Sequence, residues 1–578
     1  MSSMMRIWIT ALAICSLAAC ARHTGDDDGA DETQAVLTVD PPTAELLVLN
    51  GVAAHQDYTA TLTFPDGHTK DVTTSTVFLI DSGFGSFTDN NLAAGVAGKT
   101  AVYGTYVDKT SAAQVIIRLE DVRVDPSLPA NTPDLFAGTE DPALAPTVVY
   151  PPENVIVPRN LGDFETHWTD SHGNDVFEIS LKTEFSTVKV YVPGGNGMPA
   201  AGPHASYSSF APTEWLDAVG LETSMTYQVR GASTANPGPV GAAPPRTVNL
   251  TNEAMEGGLY YWASTSSMGA YGIFRHDMSK PGLPAEEYMT TNQTSGRCVA
   301  CHVLSRDGTK LAVTYDGGDG AATLVDVSTR AAQGGSNAWN FGTFTPDGNE
   351  ILTVTRGAIN VRTYANQSVI ATMPSTGWAT HPDLSASGTK LVYVRPTSAG
   401  ADWSFSGGNI VWRTYDQSTH TFGPETPLVS GSGDNYYPSW SPDGEWVLFN
   451  RSSSNANAYN AADATLWVVK ADGTQPPIQL AVANVGSGLT NSWGRWAPFA
   501  QTYKSTGERM FWITVSSKRN FGTRLYGVGR PQLWMTPFFP DRAAAAADPS
   551  APAFWLPFQN IVSNNHIAQW TEKVIVTL

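Results

Sequence analysis

The sequence predicts an all-β protein: two N-terminal β-sandwiches followed by a six-bladed β-propeller. Three observations lead there. The composition, with 578 residues, 42% hydrophobic and 15% charged positions, 52 Gly, 38 Pro and 17 Trp, favours short strands joined by turns over long helices. Alternating Val, Thr and Leu runs bounded by Gly and Asp dominate the first half, and the second half repeats one strand–turn–strand unit. A chain this long also exceeds what one hydrophobic core organises, so several domains are expected.

Residues 1–19 read as an export signal. Arg6 precedes an apolar stretch, residues 7–17, that is too short to span a bilayer stably. Leu17-Ala18-Ala19-Cys20 resembles the lipobox of bacterial lipoproteins, which implies cleavage before Cys20 and lipid on that cysteine. Residues 20–34, with Asp26-Asp27-Asp28 and Asp31-Glu32, read as an acidic tether. The expectation is a protein held on a membrane by lipid without crossing it. Ala21 follows the cysteine where many inner-membrane lipoproteins carry Asp, which favours the outer membrane, facing the periplasm or the cell surface. The net charge of −19 and the lack of a basic stripe argue against nucleic acid as a partner. No motif speaks to oligomeric state.

Residues 35–124 alternate as half-buried strands do. Examples are Ala44-Glu45-Leu46-Leu47-Val48 and Tyr58-Thr59-Ala60-Thr61-Leu62-Thr63-Phe64, with a turn at Pro65-Asp66-Gly67. The order of these pieces resembles the group 2 bacterial immunoglobulin-like domain. Residues 125–146, inside a Pro-rich stretch, read as a linker. In residues 147–250, Phe164-Glu165-Thr166-His167-Trp168 reads as an early strand with a buried Trp. Met225-Thr226-Tyr227-Gln228-Val229-Arg230-Gly231 reads as a late strand bearing a Tyr. That arrangement resembles a fibronectin type III module. Both modules read as spacers.

Residues 256–578 repeat. The units are Leu304-Ser305-Arg306-Asp307-Gly308, Phe344-Thr345-Pro346-Asp347-Gly348, Leu384-Ser385-Ala386-Ser387-Gly388 and Trp440-Ser441-Pro442-Asp443-Gly444, with a degenerate copy turning at Gly507. Each predicts an inner strand, a tight turn and a second strand, which suits four-stranded propeller blades. The Ser-Pro-Asp-Gly form resembles TolB-like propellers. A sixth blade follows if His566-Ile567-Ala568-Gln569-Trp570 approaches an inner strand, residues 574–578 supply the next, and residues 258–262 and 271–275 complete it. Such closure removes exposed sheet edges.

One motif carries chemistry. The chain has four cysteines; Cys15 leaves with the signal and Cys20 takes lipid, so only Cys298 and Cys301 remain. Cys298-Val299-Ala300-Cys301-His302 has the spacing of c-type haem attachment: two thiols add to one porphyrin edge and the adjacent imidazole binds iron. Such attachment happens outside the cytoplasm, where the export signal sends the chain. Haem c, held covalently by Cys298, Cys301 and His302, is therefore the expected cofactor, and no nucleotide cofactor is indicated. Register with the turn glycines sets Cys301 opposite His381, Tyr437 and Trp493, at the rim of the axial channel. His566 falls one position away when Trp570 is aligned with Trp440. His566 and His381 are the candidate second iron ligands, with Met268, Met278, Met289 and Met373 as sulfur alternatives.

A Cys298–Cys301 redox disulfide lacks a thioredoxin-like context, and zinc would want four ligands. Asp81-Ser82-Gly83 reads as a sandwich turn, not a protease triplet. Tyr315-Asp316-Gly317-Gly318-Asp319-Gly320 lacks the late Glu of a calcium loop. No hydrolase or P-loop motif is present. The leading expectation is a lipid-anchored haem protein in electron transfer at the cell envelope with a redox partner protein, peroxidase-like activity being a variant. The rival is a non-catalytic propeller that binds protein or glycan, with a structural Cys298–Cys301 disulfide. Cys20→Ser should release the protein from membranes and abolish palmitate labelling; retained labelling would contradict the lipid anchor.

Overall fold

The computed structural model describes residues 32–264, 270–453, 459–484, 486 and 488–576. The export signal, Cys20, most of the tether and Met268 lie outside the described residues. No helix among the described residues is long and apolar enough to cross a membrane.

The described chain divides into two compact units: residues 32–44, 55–93 and 100–115, and the remainder. In the first unit, Val36–Asp40 pairs antiparallel with Thr59–Thr63, which pairs with Thr69–Asp71. Val77–Ile80 pairs with residues 102–105. Alternation puts Leu37, Val39, Leu62 and Phe78 inside. The Asp81 carboxylate accepts from the Gly83 N–H at 2.9 Å, an Asx turn, as the sequence predicts. The first module does not end cleanly at residue 124, because Lys109–Val124 is one continuous strand whose second half belongs to the other unit.

In the second unit, Val176–Lys182 lies between Ser186–Pro193 and Ser224–Ala232, and Ser186–Pro193 runs parallel to residues 119–124. A smaller sheet holds Thr147–Tyr150, Phe164–Thr169 and Ser206–Phe210. Trp168 and Tyr227 are buried, and the Tyr227 hydroxyl donates to Pro151 O at 2.6 Å. Residues 125–146, expected as a linker, are instead tied down. Thr139–Glu140 pairs with residues 239–240, and Arg230 donates to Phe136 O at 2.9 Å. A stretch rich in proline can still satisfy its backbone against a neighbouring sheet edge.

Six sheets make the propeller. Blades two to six start on the inner strands Val299–Leu304, Gly342–Phe344, Thr380–Leu384, Asp434–Trp440 and Ser492–Tyr503. Blade one is composite: Asn564–Thr571 is its inner strand and pairs with Gly258–Ser264, followed by Tyr271–Asp277 and Glu286–Thr290. The sequence places a strand at 574–578; the inner strand is Asn564–Thr571 itself, and residues 574–576 have no regular structure. Its partner Gly258–Ser264 and the following Tyr271–Asp277 are the segments expected to close the ring, each one place nearer the axis than expected because no strand forms at 574–576.

The repeated turn explains its own sequence. Gly308 has φ +75°, which a side chain disfavours. The Ser305 hydroxyl donates to Asp307 at 2.6 Å and accepts from the Lys310 N–H at 2.9 Å. Thr345 with Asp347 and Ser441 with Asp443 repeat the arrangement.

The sandwich region docks on blade six. The Thr523 N–H donates to His167 Nδ1 at 3.1 Å, and Arg524 donates to Glu165 at 2.5 Å. Phe521 stacks on Trp555 with centroids 4.2 Å apart and meets Tyr150 edge-on. At the closing seam, the Trp570 indole donates to Thr514 of blade six at 3.2 Å. Trp570→Ala should cost about 3 kcal/mol in urea unfolding; a loss below about 1 kcal/mol would show that the seam does not hold the ring.

Candidate functional site

The inner strands share a defect that builds the site. In blade two, Val299 pairs with Tyr315 but His302 pairs with Val313, so one extra residue is bulged. The same shift falls between Thr380 and Asp383, between Tyr436 and Ser439, and between Ser492 and Arg495. In blade one it falls on the closing strand, opposite Tyr260 and Trp262. His381, Tyr437, Trp493 and Ile567 take φ from +50° to +59° at the bulge, a conformation that costs a non-glycine residue roughly 1 kcal/mol. In a regular strand, residues three apart face opposite sides. One bulged residue between them reverses the parity within the strand; Cys298 lies just before strand Val299–Leu304, within electrostatic reach of Cys301.

Each inner strand carries one equivalent residue paired with the next strand of its blade: Leu304 with Leu311, Phe344 with Ile351, Leu384 with Leu391, Trp440 with Val447, Trp496 with Ile513, and Trp570 with Leu259. Three positions before that residue stand Cys301, Phe341, His381, Tyr437, Trp493 and Ile567. The first five line one cavity of about 40 Å³. Ring centroids lie 4.2 Å apart for Phe341 and His381, 4.4 Å for His381 and Tyr437, and 4.2 Å for Tyr437 and Trp493. The channel at this level is thus largely filled by aromatic rings, with Cys301 in the same wall. The level that the sequence assigns to Cys301, His381, Tyr437 and Trp493 is the observed one.

His302 is buried beside Cys301 in the same cavity. Its Nδ1 lies 3.4 Å from Ala300 O, while its Nε2 is enclosed and has no hydrogen-bond partner. With the ring proton on Nδ1 this carbonyl is satisfied and Nε2 presents a lone pair; the Tyr260 carbonyl also approaches the ring. Burial pulls the imidazole down to about 4, offset in part by the carbonyls of Ala300 and Tyr260. His302 is therefore neutral at physiological pH, the form that binds metal.

His381 and His566 are not brought together. His381 Nδ1 accepts from the Tyr437 N–H at 3.4 Å, which commits its proton to Nε2. Its ring packs between Phe341 and Tyr437. His566 lines a separate cavity of about 340 Å³ with Trp262, Tyr459, Ser492, Lys518 and Asn564. The bulge is the reason. It puts Ile567, with φ +59°, at the His381 level, and a one-residue step sends the side chain elsewhere. Burial, and then nearby His302, pull His566 down to about 3. The Tyr459 hydroxyl hydrogen-bonds His566 Nε2 at 2.8 Å. Trp262 links the two places: its indole donates to Val299 O at 2.7 Å and its ring lies 4.7 Å from that of His566. No group of three or more His, Cys, Asp or Glu side chains is arranged to hold a metal ion among the described residues, so His302, His381 and His566 do not form a joint ligand set. Met289 and Met373 are buried in hydrophobic clusters between blades, and the Met278 carbonyl accepts from Asn160.

Both cysteines are free. Burial, and then Asp316, push the Cys298 thiol up. Cys301 is surrounded by protein although a little of its surface opens to the channel, and that enclosure pushes its thiol up as well. Reactive Cys-x-x-Cys pairs need the reverse shift. Asp316 pairs with Arg297 at 3.0 Å, and Asp319 accepts from Asn340 at 3.0 Å, so this loop is occupied by its own contacts, in line with its reading as a hairpin loop.

The residues that sequence reasoning missed are Trp262, Tyr459, and a polar ring one position before the paired residues just named: Thr343, Asp383, Ser439, Arg495 and Gln569, with Val303 completing it. The same register arithmetic finds that ring when it is carried two positions further along.

No protein-family model and no curated protein matches the chain. Solved structures similar to it include Kuenenia stuttgartiensis hydrazine synthase, at 14% identity and TM-score 0.28, covering 41% of this chain; the match spans 62% of that chain. A putative TolB from Agrobacterium tumefaciens matches at 14% identity and TM-score 0.32, over 55% of this chain and 99% of its own. TolB from Acinetobacter baumannii matches at 12% identity and TM-score 0.38, over 74% of this chain and 99% of its own. The propeller assignment stands on the six sheets themselves.

With both thiols shifted upward, iodoacetamide labelling of the reduced, cofactor-free protein should still accelerate above pH 9, and Cys298 should label before Cys301. A labelling rate already at its plateau at pH 7 would contradict the buried-thiol geometry.

Proposed function

We propose that Cys298, Cys301 and His302 hold a covalently attached c-type haem and that the protein transfers electrons at the cell envelope, tethered by lipid on Cys20. The observation that carries this reading is His302: Nδ1 engaged by a main-chain carbonyl, Nε2 enclosed and without a partner. Metal-binding imidazoles characteristically donate their other nitrogen in this way. An unsatisfied buried nitrogen otherwise costs about 1–3 kcal/mol.

The side-chain types suit the group: two free thiols and a neutral imidazole within five residues. The space as it stands does not: the 40 Å³ beside Cys301 is too small for a macrocycle, and the 340 Å³ cavity behind Trp262 is lined by His566 but by none of Cys298, Cys301 and His302. When bound, haem supplies a one-electron iron couple whose potential depends on its axial ligands and burial. The chain's own parts have distinct roles. The bulge shapes the strand at Cys301, the Ala300 carbonyl contacts His302, and Trp262 fixes the strand at Val299. His566 would serve as second ligand on giving up its contact with the Tyr459 hydroxyl, whereas His381 keeps its Nδ1 lone pair for Tyr437.

Produced in a host with haem-maturation machinery, the protein should show a Soret band that survives denaturing electrophoresis. The double change Cys298→Ala with Cys301→Ala should remove it, and His566→Ala should alter the low-spin spectrum while His381→Ala leaves it unchanged. Absence of covalently retained haem would overturn the reading.

A further inference from the structure

The opposite end of the channel holds a second cavity, of about 140 Å³, whose lining has no part in the haem reading. Its inner wall is the polar ring, one residue per blade: Val303, Thr343, Asp383, Ser439, Arg495 and Gln569. Four of these, Val303, Asp383, Arg495 and Gln569, also line the cavity beside Cys301, so the ring separates two chambers. Beyond it, the turn-side wall includes Arg306, Pro346, Ala386, Pro442 and Pro498. Arg306 is already paired with Glu572 at 2.6 Å, so that pair adds no net charge.

Inside, two opposite charges are left apart. Protein encloses the Arg495 guanidinium, yet no carboxylate stands within 4 Å of it among the described residues. Its hydrogen bonds go to the carbonyls of Gly494 at 3.0 Å and Tyr437 at 3.4 Å, both through Nη1. Asp383 sits on the same ring, two blades away, and accepts from the Trp440 N–H at 2.7 Å and from the Ser439 hydroxyl, both uncharged donors. An enclosed charge without a partner is costly, and each of these would be stabilised by a charge of the other sign. They attract each other across the cavity but do not meet. A molecule that satisfies both must carry an anionic and a cationic end. Hydroxyls from Thr343 and Ser439 and the amide of Gln569 would surround its middle.

We propose that this cavity binds a small zwitterion of the α-amino-acid class, its carboxylate on Arg495 and its ammonium group on Asp383. Guanidinium matches a carboxylate with two parallel donors, and a carboxylate accepts from ammonium, so both ends make charge-assisted hydrogen bonds. The volume limits the ligand to a compact molecule, and on the turn side Arg306 and Thr345 are already held by Glu572 and Asp347.

Calorimetric titration of the full chain with glycine, acetate and methylammonium tests this. Glycine should bind, and the two singly charged probes should bind at least about tenfold more weakly, since each forfeits one charge-assisted contact. Arg495→Gln and Asp383→Asn should each weaken glycine by about tenfold or more. Circular dichroism and melting curves must show these variants folded. Ser439→Ala, a smaller change on the same ring, should weaken glycine without unfolding the protein and serves if they are not. Acetate binding as tightly as glycine, binding unaffected by Asp383→Asn, or no binding of glycine would each overturn the proposal.

Discussion

The pairing of Asn564–Thr571 with Gly258–Ser264 is the constraint on which the rest depends. It joins strands roughly three hundred positions apart into one sheet and turns a row of blades into a ring without open edges. Closure also completes the channel wall. It sets His566 within electrostatic reach of His302, brings Trp262 over Val299, and adds Gln569 to the polar ring. Trp570 then fastens blade one to blade six through Thr514. Loss of this one strand pairing would take apart every cavity along the axis.

Given a closed ring, the bulges decide what faces the axis. One extra residue in an inner strand shifts the parity of everything before it, and five of the six blades carry it at the same height. The result is a stack: an aromatic layer with Cys301, then a polar layer with Asp383 and Arg495, then a turn-side rim with Arg306 and three prolines. The layers have different jobs because they differ in what they leave unsatisfied. His302 leaves a bare nitrogen beside the aromatic layer, and Arg495 leaves a cation without a carboxylate in the polar one.

Much of this was legible in the sequence, for a definite reason. The Ser-x-Asp-Gly turn fixes its own geometry through the Ser hydroxyl and the Asp carboxylate, so counting back from the turn glycine gives height along the axis. That is why Cys301, His381 and Tyr437 fall at one level as expected; Trp493 joins them because Trp496-Ala497-Pro498 matches Trp440-Ser441-Pro442. Ring closure by residues 258–262 was legible too, but not that they pair directly with 564–571 and leave 574–576 without a strand. The rest that could not be read was non-local or angular. The bulge shifts His566 by one residue, enough to move it to a different cavity from His381. Which imidazole nitrogen is free depends on single main-chain contacts, from Ala300 O in one case and the Tyr437 N–H in the other. The tie between residues 139–140 and 239–240 likewise left no mark in a Pro-rich stretch that reads as a linker.

The central claim concerns the bonds that Cys298 and Cys301 make in the mature protein. Mass spectrometry of the proteolytic peptide spanning residues 298–302, taken from protein exported in a haem-maturing host, reads those bonds directly. The account predicts a peptide carrying one haem through two thioethers, with neither cysteine open to alkylation. A peptide with an internal disulfide, or with two alkylatable thiols, would contradict it.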